Sequence, residues 1–249
     1  MEEAMTEFKN YTSNYLEYGE MIELKINHTI RVVNLCERIA KSLNLNDEEI
    51  YIAKIIGLLH DIGRFEQWKN YNTFNDLNSI DHADYGVEIL KKDNYIRKYI
   101  KDDSYDEIIL KSIEYHNKYE IANDLNEKTT IFAKLIRDAD KIDILYLYVK
   151  GELKRDLEDI EFNEKIYKSL LDKRSINRKD LKTMTDRLGV TLGFPFDINY
   201  QESFNILNET KYMDTIIDIY KEKTNSIKLK EQLEEIRKVI NEYIEVNLC

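Results

Sequence analysis

Apolar residues fall at helical spacing in segment after segment of this chain, and strand-like alternation is nearly absent. From Glu20 to Leu43 they recur at Ile22, Val32, Leu35, Ile39 and Leu43, and His28 lies one helical turn before Val32 on the same stripe. Asn44 to Asn46 interrupts the pattern. Asn46, followed by Asp47, Glu48 and Glu49, has the form of an N-cap with an acidic first turn. The helix it opens enters the run Ile50 to Phe65, IYIAKIIGLLHDIGRF, which is apolar on nearly every face and so belongs in the middle of a protein. It is expected to stop near Gly63. Arg64 to Ser79 reads as a polar connection carrying Phe65, Trp68, Tyr71 and Phe74, a loop folded over something. A short helix follows from Asp81-His82 through Lys92, with Gly86 one turn after His82, where a missing side chain lets another backbone or a ligand approach. Tyr105 to Tyr119 sets Ile109, Ile113 and His116 on one face, and Thr129 to Val149 sets Ile136, Asp140, Asp143, Ile144 and Leu147 on another.

Beyond Gly151 the pattern stays helical but contains no histidine. The stretch 189–199, GVTLGFPFDIN, holds the only proline of the chain and is expected to be an irregular crossing. Ser226 to Val246 reads as an amphipathic helix with Leu229, Leu233, Ile236, Ile240 and Tyr243 on one side; packing onto the core and a homodimer contact are both open for it. Seven glycines and one proline leave few turns, so the expected fold is all-α. It is read as one domain over 1–249, with a core at 20–150 and a helical extension, 151–249, packed on it.

Charge narrows the partners. A formal net charge of -11 argues against long nucleic acid, whose binding rests on basic residues neutralising phosphates. A small anionic substrate is compatible with it, because bound divalent cations reverse the local field. Two cysteines, Cys36 and Cys249, make no disulfide framework and point to a reducing compartment. No apolar run approaches the ~18 residues of a membrane span. The N-terminal MEEAMTEFKNYTSN lacks the basic and apolar regions of a signal peptide. The expectation is a soluble, cytoplasmic protein with no membrane partner.

The chemistry starts at His60-Asp61. An imidazole and a carboxylate at the buried end of an apolar helix are costly unless hydrogen-bonded, charge-paired or bound to a metal. The other histidines are His28, His82 and His116, and the acidic cluster Arg137 to Asp143 follows them. Any one of these histidines alone reads as a hydrogen-bonded core residue; together, on apolar faces within 90 residues, they read as one metal site. Imidazole nitrogens and carboxylate oxygens suit Zn, Fe, Mn or Ni. Four His and two Asp exceed what one tetrahedral ion uses, so two divalent ions are expected. Asp61 is the natural bridge, with His28, His60 and Asp140 completing the first ion and His82 and His116 the second. Such a pair activates a water and stabilises an in-line displacement at phosphorus. Arg64 and Lys141 adjoin the ligands and can neutralise phosphoryl charge, while Asp143 can orient a ligand or accept a proton.

His28, His60-Asp61 and Asp140, carried in LLHDIGRF, DHADYG, EYHNK and RDADKID, resemble the HD superfamily of metal-dependent phosphohydrolases over about residues 20 to 150. The resemblance implies an all-α helical bundle in which His28, His60, Asp61 and Asp140 bind a divalent metal, whether Fe, Mn, Zn, Ni or Mg. His82 and His116 resemble those of the two-metal subset, which includes cyclic-nucleotide phosphodiesterases. The chain departs from the cyclic-di-nucleotide branch in having Arg64 where Lys is usual and no Gly-Tyr-Pro after His116. The expected activity is hydrolysis of a phosphomonoester or phosphodiester of a nucleotide or similar small phosphorylated molecule. Its alternatives are a di-iron oxygenase, because some relatives with the same ligands activate dioxygen, and a non-catalytic metal-stabilised sensor or scaffold.

Overall fold

The computed structural model describes residues 1–153 and 156–248, so Cys249 lies outside the described residues. Helices account for the regular structure, and no strand occurs among the described residues. The chain divides into two compact units, Met1–Asp140 and Lys141–Cys249.

The first unit contains α1 (Glu2–Ser13), α2 (Glu20–Ser42), α3 (Asp47–Leu59), α4 (Ile62–Tyr71), α5 (His82–Lys91), α6 (Asp106–Tyr115) and the larger part of α7 (Glu127–Val149). At its centre α3 packs on α2. Gly57 is what lets the two approach, since a Cβ there would sit 2.9 Å from Cys36 Sγ and 3.2 Å from Val33 Cα. The start of α3 is the expected one: Asn46 Oδ1 accepts from the Glu49 backbone N–H, and the Glu49 carboxylate accepts from that of Asn46, a reciprocal capping box.

Two helices differ from expectation. The central helix ends at Leu59 rather than near Gly63, because Asp61 leaves helical geometry at φ -105, ψ 17. The chain then resumes as α4, so the first half of the expected 64–79 loop is helical, with Phe65 and Gln67 buried. Asn72, in the left-handed region at φ 50, stops it. The second is α1, absent from the sequence reading, which buries Ala4, Phe8 and Thr12 at i, i+4, i+8 and sets the Phe8 ring edge-on to Phe65 at 5.9 Å.

A close crossing of α4 and α5 carries His82 to the centre of this unit. A Cβ on Gly63 would lie 2.3 Å from the His82 carbonyl oxygen and 2.9 Å from Gly86 N. Gly86 thus admits another backbone, one of the two alternatives its position suggested.

The second unit holds the end of α7, then α8 (Glu164–Leu171), α9 (Met184–Leu192), α10 (Gln201–Thr210), α11 (Tyr212–Lys223) and α12 (Ile227–Val246). Its core is apolar, with Leu170, Leu188, Leu192, Ile216, Leu233 and Ile240 buried. The expected irregular crossing at 189–199 is shorter than read: 189–192 close α9, and Phe194–Asp197 form a 3-10 turn opened by Pro195. On α12 the buried stripe includes Leu229, Leu233, Ile236, Ile240 and Ile244. No helix among the described residues is long and apolar enough to cross a membrane.

Candidate metal centre

His28 comes from α2, His60 and Asp61 from the break between α3 and α4, His82 from the first turn of α5, His116 from the end of α6 and Asp140 from α7. The fold brings all six side chains together inside the first unit, and the four imidazoles and Asp61 are buried. The two oxygens of Asp61 face different histidines. Oδ2 lies 3.5 Å from both His28 Nε2 and His60 Nε2, and Asp140 Oδ1 is 3.1 Å from the first and 3.7 Å from the second. Oδ1 lies 3.3 Å from His82 Nε2 and 3.8 Å from His116 Nε2. Within each pair the Nε2 atoms approach closely, at 3.3 Å for His28 and His60 and 3.0 Å for His82 and His116.

The outer nitrogens explain what those inner atoms are. His60 Nδ1 is 2.8 Å from the Gly57 carbonyl, His116 Nδ1 is 2.7 Å from that of Ile113, and His82 Nδ1 is 2.8 Å from Asp76 Oδ2. Carbonyl and carboxylate oxygens only accept, so each Nδ1 carries the proton and each Nε2 presents a lone pair inward. At His82 and His116 two lone pairs meet each other and Asp61 Oδ1 with no proton to share, and they repel until a cation joins them. This is the donor set of a divalent metal site, and His28, His60 and Asp140, or His60, Asp61 and His116, are each close enough to hold an ion.

Residues 26–145 match the family described as HD domain. This part of the chain is an HD domain. Neither the curated proteins nor the solved structures gave a match. HD domains bind divalent metals and are generally metal-dependent phosphohydrolases, although some members are not hydrolases.

Beside the His-Asp doublet stands a cation that sequence patterning did not single out. Lys25, one turn before His28 on α2, lays its Nζ 2.6 Å from Asp61 Oδ2. Burial opposes the charge on Asp61, and the Lys25 ammonium outweighs it and holds the carboxyl well below its usual range. His82 is pushed down to about 3 by burial and by Arg64, with Asp76 pulling in the opposite direction. Nothing in the pattern marked Lys25, since a lysine in the first turns of a helix is ordinarily solvated.

Of the residues expected to meet substrate, Arg64 is beside the doublet, with Nε 3.5 Å from Asp61 Oδ1. Its Nη1 is committed to Gln67 on the same helix and to the 72–80 loop, donating to Gln67 Oε1, the Phe74 carbonyl and Asp76 Oδ1 at 2.7, 2.8 and 2.7 Å. The Phe74 ring lies between two cations, 5.3 Å from Lys25 Nζ and 5.7 Å from the Arg64 guanidinium carbon. Lys141 Nζ makes an ion pair with Asp197 Oδ2 at 2.8 Å within the second unit. Asp143 is buried on α7. Arg137, one turn before Asp140, holds the chain on either side of His116 by donating to the carbonyls of Tyr115 at 3.0 Å and Tyr119 at 3.3 Å.

Proposed function

We propose that this HD domain is a dinuclear metal-dependent phosphohydrolase acting on a phosphomonoester or phosphodiester of a nucleotide or a similar small phosphorylated molecule. The observation that carries the reading is the division of four inward Nε2 atoms between the two oxygens of one carboxylate, Asp61. His28, His60, Asp140 and Asp61 Oδ2 would hold one ion, and His82, His116 and Asp61 Oδ1 the other. Bound divalent ions supply a water acidic enough to attack near neutral pH and positive charge for the phosphoryl oxygens.

The chain's own residues do the rest. His60, His82 and His116 keep their Nε2 lone pairs aimed inward because Gly57, Asp76 and Ile113 hold the opposite nitrogens. Lys25 and Arg64 flank the two oxygens of Asp61, and once those oxygens bind metal, the ammonium and the guanidinium Nε are the adjoining cations for a phosphoryl group. The buried Nε of Arg64 has no hydrogen-bond acceptor of its own, which makes it a donor in need of one. Lys141, already paired with Asp197, is a weaker candidate for that charge. Phe74 offers an aromatic face beside the same cations, suited to a nucleobase.

The test is a panel of nucleotides and phosphodiesters incubated with the protein as purified and then with Mn²⁺ added. Released phosphate, or the monoester product of a diester, is scored against the Asp61→Ala variant. Metal-dependent turnover lost in that variant is the expected result. Substrate-dependent oxygen uptake without phosphoester cleavage would replace this reading with the oxygenase one.

A further inference from the structure

His60 and His116 take their orientation from backbone carbonyls three residues earlier, Gly57 and Ile113, in the helical turn that precedes each of them. His82 cannot do the same. It is the first residue of α5, and no helical turn stands before it. Its Nδ1 instead faces a side chain, Asp76 Oδ2 at 2.8 Å, which arrives from the 72–80 loop.

We propose that Asp76 is a positioning residue that fixes His82 with Nε2 as its lone-pair nitrogen, and so makes the His82 and His116 half of the centre able to take a cation. The inference rests on the two-ion reading above and adds a residue that lies outside the ligand set. Every other group at Asp76 is a donor: Arg64 Nη1 at 2.7 Å and Gln67 Nε2 at 2.9 Å on Oδ1, and Asn117 Nδ2 at 3.4 Å on Oδ2. Both oxygens therefore have to accept, and only an ionised carboxylate does that on both sides. With Asp76 accepting, His82 Nδ1 must donate and its Nε2 is left to face His116 Nε2 at 3.0 Å. Gln67, fully buried, anchors the loop independently by also donating to Ser79 Oγ at 2.8 Å and the Ile80 carbonyl at 2.9 Å.

The deciding variant is Asp76→Asn, which keeps the shape but has one acceptor. Its oxygen goes to the charged guanidinium, its amide N–H₂ turns to His82 Nδ1, and the imidazole proton moves to Nε2, the atom that should hold metal. Two readouts apply to the 249-residue chain: Mn²⁺ equivalents by equilibrium dialysis, and the tautomer of His82 from ¹⁵N-histidine spectra of the metal-free form. Wild type should bind two equivalents and show His82 protonated at Nδ1. Asp76→Asn should keep the first equivalent, bind the second about 10- to 100-fold more weakly, and show the proton on Nε2. Asp76→Ala, which leaves the Asn117 amide N–H₂ 3.4 Å from His82 Nδ1, should also move the proton toward Nε2 with a smaller loss, and serves if the amide variant does not fold. Ser79→Ala, which loosens the loop without touching His82, should change neither readout.

A second equivalent bound as tightly as in wild type, an unchanged His82 tautomer, a wild type that takes one ion only, or a Ser79→Ala variant that reproduces the whole loss would each overturn the proposal. Neither readout needs substrate, so a protein that binds two ions and hydrolyses nothing would refute the phosphohydrolase reading and leave the role of Asp76 intact.

Discussion

Asp186 in the second unit and Asp61 in the first are both buried aspartates, and their neighbours are chemically opposite. Asp186 is surrounded by N–H groups that have no alternative role. Its Oδ1 accepts from Asn163 N at 2.9 Å, and its Oδ2 from Asn163 Nδ2, Lys182 N and Thr183 N at 2.7, 2.9 and 3.0 Å. Its job is complete within the fold: it closes the capping box of α9 and fastens the start of α8 to it. Asp61 is surrounded by four imidazole nitrogens, at least three of them lone pairs, and by cations on either side. A buried carboxylate is therefore not a site by virtue of burial. What separates the two is whether the surrounding atoms bring protons or need them.

The sharpest break of that comparison is exchange of the two residues' fates by mutation. Asp61→Ala should remove both ions and lower phosphoester hydrolysis by at least about 10²- to 10³-fold, the loss that follows removal of a single electrostatic stabiliser. Dialysis against Mn²⁺ and steady-state assays read both effects. Asp186→Ala should do the reverse, leaving the Mn²⁺ stoichiometry unchanged while orphaning buried donors and lowering unfolding stability by roughly 3 kcal/mol, measured by urea denaturation. If Asp186→Ala also emptied the centre, the two carboxylates would not be separable in this way.

Next in size is Gly63→Ala. The new methyl would stand 2.3 Å from the His82 carbonyl oxygen, so α4 and α5 must move apart, at about 1–3 kcal/mol for an overpacked contact. Because His82 begins α5, binding of the second Mn²⁺ should weaken along with thermal stability. Gly86→Ala, whose methyl meets Ile62 Cγ2 at 3.3 Å and Gly63 N at 3.4 Å, should be milder in both measurements.

The smallest effect is a pH dependence. Burial works against the charge of Asp186, and hydrogen bonds from Asn163, Lys182 and Thr183 outweigh it and hold the carboxyl below its usual range. The folded pKa lies below the unfolded one, so the unfolded chain takes up the proton first as pH falls. The contribution of Asp186 is thus fully present above the unfolded value of about 4 and is lost as pH falls through the folded one. In urea titrations, the stability gap between wild type and Asp186→Asn should be constant from neutral pH down to the unfolded value and narrow below it.

Much of the first unit was legible because its signals are local. Apolar stripes carry His28 and His116, and Asn46 with Glu49 announces the start of α3 in four residues. The convergence of six side chains could be expected because each occupied an apolar face where a lone polar group is penalised. What escaped notice lacked such a local mark. The break at Asp61 contains neither glycine nor proline at its turning residue, so α3 and α4 read as one helix followed by a loop. Helix α1 buries three small or aromatic positions among charged neighbours. Lys25 and Asp76 act through contacts to residues 36 and 6 positions away and look like ordinary surface charges in the sequence. Lys141 follows Asp140 in sequence and pairs with Asp197, because adjacent positions on a helix do not share a direction.

The central claim is that Asp61 joins two cations. Anomalous diffraction from crystals grown with Mn²⁺ tests it directly. Two peaks per chain are expected, one among Asp61 Oδ2, His28, His60 and Asp140 and one among Asp61 Oδ1, His82 and His116. A single peak, or peaks that leave either oxygen of Asp61 uncoordinated, would contradict it.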